Sequence, residues 1–352
     1  MSVSTQTQFS TTWRCPSNIA LVKYWGKYGN QLPCNSSISL TLSNSYTEVT
    51  LELTQKATQD IVELAYFFEG EPNEKFEKRV KQFIENNQNY FADLMNYGIR
   101  IQSHNSFPHS AGIASSASAF GAISLALLEA SYRLNQQELD AEFYEKASEL
   151  ARLGSGSASR SMFASYAMWG ENEKVPHSTN QKAIQVNQIH PQFQSFCDTI
   201  LIVEDEPKKV SSSVGHALMN NHPYAANRFE QANQRTAQMI EILKQGEMDA
   251  FIQITESEAL TLHAMMMTSG DYYLLMKPGT IEIIEKVFEF RNATNLPVCF
   301  TLDAGPNIHL LYPESIETEV HQFIQTTLKP HFKSLIHDKI GNGPVCLSLV
   351  CS

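Results

Sequence analysis

Two nucleotide-binding signatures are missing from this 352-residue sequence: neither G-x-x-x-x-G-K-[ST] nor G-x-G-x-x-G occurs anywhere along it. A Walker loop and a dinucleotide fingerprint are therefore excluded. Cysteine is sparse. The six stand at 15, 34, 197, 299, 346 and 351, with no C-x-x-C pair and no histidine at zinc-ligand spacing. That distribution argues against a disulfide framework or a structural metal and for reduced thiols in a cytoplasmic setting. No run approaches the ~18 apolar residues of a membrane span. The polar start, MSVSTQTQFSTT, lacks the basic and apolar regions of a secretion signal. Positive charge is also short: 26 Lys and Arg against 37 Asp and Glu leave a net charge of −11. A chain so acidic lacks the basic stripe that a nucleic-acid partner demands, so any anionic ligand must be held by a few local cations. Arg14, Lys23, Lys27, Arg160, Lys208 and Lys209 are the candidates. Internal repeats and low-complexity blocks are absent too.

What remains is ordinary globular chemistry, 42% hydrophobic and 18% charged residues, in a chain long enough for two lobes. Residues 1–12 read as a loosely pinned tail. Residues 36–54 alternate apolar with hydroxyl or charged residues, the mark of half-buried strands, here joined at Asn44-Ser45. Helical spacing runs over 75–95, 113–134, 136–152, 224–245, 247–266, 281–291 and 315–328. Strands are expected over 99–103, 163–169, 199–203, 298–302, 308–312 and 345–350. The pattern is α+β, divided into an N-terminal lobe over 13–198 and a C-terminal lobe over 199–352.

The most legible stretch is SFPHSAGIASSASAFGAISLA, residues 106–126. Small residues let a ligand approach the backbone, serine hydroxyls donate to phosphate oxygens, and the following helix aims its N-terminal amides at the same anion. Pro108, Ala111, Gly112, Ile113, Ala114, Ser115, Ser116 and Ala117 form this candidate phosphate cradle. A tightly packed helix start would use the same small residues. A second polar segment, PSNIALVKYWGKYGNQLPCNSSISLTL, sets Asn18, Lys23, Tyr24, Lys27 and Ser36-Ser37 among apolar residues, where they would offer donors to an anion. Exposed strand-end lysines are the other reading of Lys23 and Lys27.

The pattern Pro108-x-x-x-Gly112-Ile113-x-Ser115-Ser116-Ala117 resembles the nucleotide loop of the GHMP kinase superfamily. Together with NIALVKYWGK, NSSISLTL, GSGSASRS and TLDAGPN, in that order, the chain is similar to the diphosphomevalonate decarboxylase family from about residue 13 onward. The resemblance implies a two-lobed fold, an N-terminal lobe of ribosomal-S5 type and a C-terminal α+β lobe with the ligands in the cleft between. It also implies ATP with Mg²⁺ on its oxygens, a phosphorylated mevalonate as substrate and a possible homodimer. It makes Asp303 the base, Arg160 the holder of the substrate carboxylate and Asn18 their organiser, with Lys27 beside them. Tyr24, Lys23, Ser155, Ser157 and Ser212 would meet the substrate. Asp303 as a mere turn cap, and His263 as a packing residue, stay open. Ser213 stands where relatives often carry arginine, and His109 where a small hydroxyl residue is common. Mevalonate 5-phosphate, simple phosphorylation and non-catalytic binding are thus the alternatives.

Overall fold

The computed structural model describes residues 7–56, 62–108, 113, 115–206 and 212–351. Two sheets organise it. The larger has eight strands, with Val345–Cys351, Thr7–Val22, Ser37–Gln55, Tyr97–Asn105, Leu64–Phe68 and Glu71–Pro72 paired in that order, and Tyr166–Trp169 and Ala183–Gln185 branching from Ser37–Gln55. The smaller runs Cys299–Thr301, Ile308–Pro313, Phe196–Ile202, Ser334–Lys339, all antiparallel.

Two expectations about the chain ends change. Residues 7–12 belong to the first strand, paired on both sides from Phe9, and are not a tail; Thr11 is fully buried, its hydroxyl donating to the buried Glu129 carboxylate. The last strand, Val345–Cys351, pairs with that same first strand, so the N-terminal sheet takes its edge from the end of the chain. Both follow from pairing between residues far apart in sequence, which local alternation does not encode.

The expected turn at Asn44-Ser45 is a bend inside one continuous strand, Ser37–Gln55. Asp338, from the smaller sheet, accepts the backbone N–H groups of Ser43, Asn44 and Ser45 at 2.7–2.8 Å. A remote carboxylate thus satisfies donors that a turn would have paired locally. Elsewhere the helix Glu74–Asn86 ends early in two 3₁₀ turns, and Glu317–Phe323 passes into a wider π turn over Ile324–Leu328.

Helix Ser115–Leu134 is buried continuously from Ala117 to Tyr132. It lies between the large sheet and helix Ala141–Gly154, and an all-round apolar helix suits only such a central layer. Gly121 permits the contact: a Cβ there would stand 2.4 Å from Cys15 Sγ. Helices Ala225–Gln245 and Met248–Met267 pack between the sheets, with Met239 and Phe251 sharing a core with Leu21, Leu40 and Ile200. No helix among the described residues is long and apolar enough to cross a membrane.

Candidate active site

The site grows from the edges where the two sheets meet. Asn18 lies on the first strand, opposite Thr41; Ser39 pairs with Ala20 one step along, and Ser37 follows two residues before Ser39 on the same face. Against that face sits the 3₁₀ helix Gly156–Met162, which carries Arg160 into the interior, 2% exposed. Its guanidinium donates to Ser37 Oγ at 2.7 Å, Ser39 Oγ at 3.0 Å and Asn18 Oδ1 at 3.3 Å. Asn18 in turn donates through Nδ2 to Ser161 Oγ at 2.8 Å and the Ser157 carbonyl at 3.2 Å. The cation is thereby oriented by uncharged oxygens. Burial lowers its pKa to about 10, opposed by the Asp303 charge, so it remains cationic at neutral pH.

Asp303 enters from the other lobe, just past strand Cys299–Thr301, in a tight turn where its carbonyl accepts the Gly305 N–H at 2.7 Å. Lys23 Nζ, buried beside the end of the first strand, stands 3.2 Å from Asp303 Oδ1 and also donates to the Ala20 carbonyl at 2.6 Å. Burial pulls the Lys23 pKa below its usual value, and Asp303 opposes that shift. Asp303 therefore bears on the charges of both Lys23 and Arg160. The His263 ring Nε2 lies 3.1 Å from the Asp303 carbonyl, which gives this buried helical histidine a part in fixing the turn.

The remaining predicted residues divide. Ser155 Oγ lies 3.1 Å from Ser116 Oγ, so the start of the central helix, where Ser115, Ser116 and Ala117 stand, touches the GSGSASRS segment directly. Ser17 ties in the same loop by donating to the Ile113 carbonyl at 3.3 Å. Ser157 is half-buried beside Arg160, and Pro108 is exposed at the loop's entrance. Tyr24 packs its ring on Trp169 and His216, its hydroxyl buried with no hydrogen-bond partner among the described residues. Lys27 donates to Gln31 Oε1 at 3.0 Å, and its pKa is lowered by burial and then by the nearby Arg79. Ala111, Gly112 and Ala114, with His109, Lys208 and Lys209, lie outside the described residues. Ser212 opens the helix Ser212–Ala217, its side chain likewise outside the description.

Two sequence candidates leave the site. Arg14 pairs with Glu48 at 2.7 Å on the partly exposed side of the first strand. Ser36 bonds Asn233 and Asn172, a structural network that ties the strand to helix Ala225–Gln245. Ser37, expected as a donor, holds Arg160, and others join it unforeseen: Ser39 holds Arg160 as well, a role hinted at by hydroxyls recurring on one face of an otherwise apolar strand. Arg79, on helix Glu74–Asn86, reaches the Gly154 carbonyl at 3.1 Å over the Phe120 ring. Buried Glu258 accepts the Lys23 N–H at 2.9 Å while paired with Arg228 and Arg235. Nothing in local sequence singles these out.

Comparison with known proteins identifies the family. A family model for the diphosphomevalonate decarboxylase-like N-terminal domain matches residues 15–181, and one for the mevalonate 5-diphosphate decarboxylase C-terminal domain matches 199–344. The diphosphomevalonate decarboxylase of Saccharomyces cerevisiae is 30% identical over 338 residues, 90% of this chain and 81% of the relative. A crystal structure of mevalonate diphosphate decarboxylase from Staphylococcus aureus superposes with a TM-score of 0.81 at 25% identity, covering 97% of this chain and 98% of that one. A structure of MDDEF in complex with MVAPP, AMPPCP and magnesium gives 0.79 at 28%, covering 96% and 99%. The chain belongs to the diphosphomevalonate decarboxylase family and has its two-lobed GHMP kinase fold.

Proposed function

We propose that this chain is the ATP-dependent decarboxylase of mevalonate 5-diphosphate, giving isopentenyl diphosphate, ADP, phosphate and carbon dioxide. The observation that carries it is the meeting of Asp303, Lys23 and Arg160 at the junction of the lobes. In this reading Asp303 accepts the proton of the tertiary 3-hydroxyl, whose oxygen attacks the terminal phosphorus of ATP as the bond to ADP breaks. The C3–O bond then breaks, phosphate leaves, and the electrons of the C–C bond to the carboxylate form the alkene. A hydroxyl is a poor leaving group and phosphate a good one, which is why phosphorylation comes first. Positioning and electrostatics supply most of the acceleration in such a transfer.

Lys23 keeps Asp303 ionised and within reach, while Arg160, already aligned by Ser37, Ser39 and Asn18, presents a planar fork to the substrate carboxylate. Ser155, Ser157, Tyr24, Lys27 and Ser212 would hold the diphosphate end, and Arg79 adds a cation near Lys27. Nucleotide phosphates would lie at the loop running from Pro108 to Ala117, with Ser115 and Ser116 as donors at the N-terminus of the central helix. The bound MVAPP, AMPPCP and magnesium of the structural relative support both ligands. Mg²⁺ would rest chiefly on nucleotide oxygens and neutralise their charge. In this reading the 31% exposed side chain of Asp303 leaves its carboxylate open to the substrate hydroxyl.

The division into an N-terminal and a C-terminal lobe and a cytoplasmic location belong to the same proposal. The second is supported by Cys15, Cys34, Cys197, Cys299 and Cys346, all free thiols. A homodimer is the assembly that the family resemblance suggests, and sedimentation measures it.

The test is a product assay on purified protein with ATP, Mg²⁺ and either mevalonate 5-diphosphate or mevalonate 5-phosphate. Equimolar ADP and carbon dioxide from the diphosphate support the reading. Serine at 213 favours the monophosphate as the second reading, and product from that substrate alone would establish it instead. ADP without carbon dioxide would leave a kinase.

A further inference from the structure

Just beyond the KKVSSSVG segment, an imidazole of the C-terminal lobe reaches across to the N-terminal one. His216, in the short helix Ser212–Ala217, is 7% exposed. Its Nδ1 accepts the Gly26 N–H at 3.0 Å. Its ring lies 4.2 Å from the Tyr24 ring and 4.8 Å from that of Trp25, centroid to centroid. An imidazole accepting at Nδ1 carries its proton on Nε2, so the contact demands the neutral ring. The approach is close on both sides. A Cβ on Gly215 would stand 2.5 Å from the Trp25 ring, and one on Gly26 2.8 Å from the ring of Phe229. Gly26 also holds φ at +95°, a conformation few other residues adopt, so its peptide orientation is a fixed feature of the turn.

That turn joins two residues of the proposed substrate end, Tyr24 and Lys27, and the helix holding His216 begins at a third, Ser212. The geometry points to His216 as a positioning residue for substrate: by accepting the Gly26 N–H and stacking on Tyr24, it locks the Tyr24–Lys27 turn to the segment that carries Ser212. Ligands from the two lobes thereby become one preorganised site for the phosphorylated end of the mevalonate. The contacts of His216 with Tyr24, Trp25 and Gly26 all lie on the proposed substrate side, so its loss should be felt by the mevalonate substrate more than by ATP. The inference rests on the proposed decarboxylase reading.

The test compares His216→Asn, whose amide oxygen occupies the Nδ1 position, with His216→Gln, whose oxygen occupies the Nε2 position, and with His216→Phe, which keeps the ring alone. Steady-state constants for mevalonate 5-diphosphate and ATP are measured for each folded variant. His216→Phe and His216→Gln should raise KM for the mevalonate substrate about tenfold, the scale of one buried donor left unmet. KM for ATP should stay within about twofold, and His216→Asn should recover most of the loss. If His216→Phe fails to fold, the contrast between Asn and Gln decides alone. Parallel rises in both KM values, or equal behaviour of Asn and Gln, would overturn the positioning role while wild-type turnover leaves the decarboxylase reading intact. A wild type without turnover would remove both.

Discussion

The ammonium of Lys23 and the carboxylate of Asp303 stand 3.2 Å apart, the lysine almost wholly buried and 31% of the aspartate side chain still exposed. The asymmetry is useful. A buried cation strengthens the aspartate's charged form, while the exposed side of the carboxylate stays open to an incoming hydroxyl. Glu258, held by two arginines, fixes the main chain from which Lys23 springs, so three charged layers stand behind the proposed base.

Replacing Asp303 with Asn should keep the turn, since the bonds from Gly305 and the His263 ring go to the backbone carbonyl. Turnover should fall by about 10³-fold, in the range of a lost general base, with nucleotide affinity within about threefold. Carbon dioxide release and equilibrium nucleotide binding measure the two arms. Undiminished release would remove Asp303 from the base role.

Arg160→Lys keeps the charge and loses the fork. A single ammonium cannot span Ser37, Ser39 and Asn18 while presenting two parallel donors to a carboxylate. We expect kcat/KM to drop by about 10²-fold. Ser39→Ala, which removes one of the three supports, should cost about five- to tenfold.

Ser116 and Ser155 link the nucleotide loop to the GSGSASRS segment through one 3.1 Å contact. Ser116→Ala should therefore raise KM for both ATP and the mevalonate substrate, by about three- to tenfold each. This distinguishes it from the one-sided effect expected at His216.

The His216 pKa is lowered from 6.5 to about 3, chiefly by burial and then by Lys27. Because the folded value lies below the unfolded one, the unfolded chain binds the extra proton between those limits. Stability is then full above pH 6.5 and declines as pH falls toward 3. Between pH 7.5 and 5, wild type should lose about 2 kcal/mol more than His216→Asn, as read from urea unfolding at both values. Parallel pH profiles for the two proteins would contradict this.

Asp338→Ala should strip the Ser43–Ser45 bend of its acceptor and leave up to three amides unmet. A stability loss of about 2–4 kcal/mol is expected, with catalytic constants of the folded fraction little changed, since the amides of the bend bond Asp338 rather than Asp303 or Arg160.

Much of this molecule was readable from its residues alone. The small and hydroxyl-rich run before residue 120 announced a helix start, the alternation of residues 36–54 a half-buried strand, and the motifs ending in TLDAGPN a two-lobed family. These signals are local: steric permission at glycine, hydroxyl donors at fixed spacing, a period of two or of 3.6. Tertiary structure decided the rest. It placed residues 7–12 and 345–351 side by side as strands, turned an expected hairpin into a bend pinned by Asp338, moved Arg14 and Ser36 out of the site and brought Ser39, Arg79, His216 and Glu258 toward it. Each of those depends on a partner tens to hundreds of residues away. A side chain's neighbours after folding are set by strand register and helix packing, and neither is written in the few residues on either side of it.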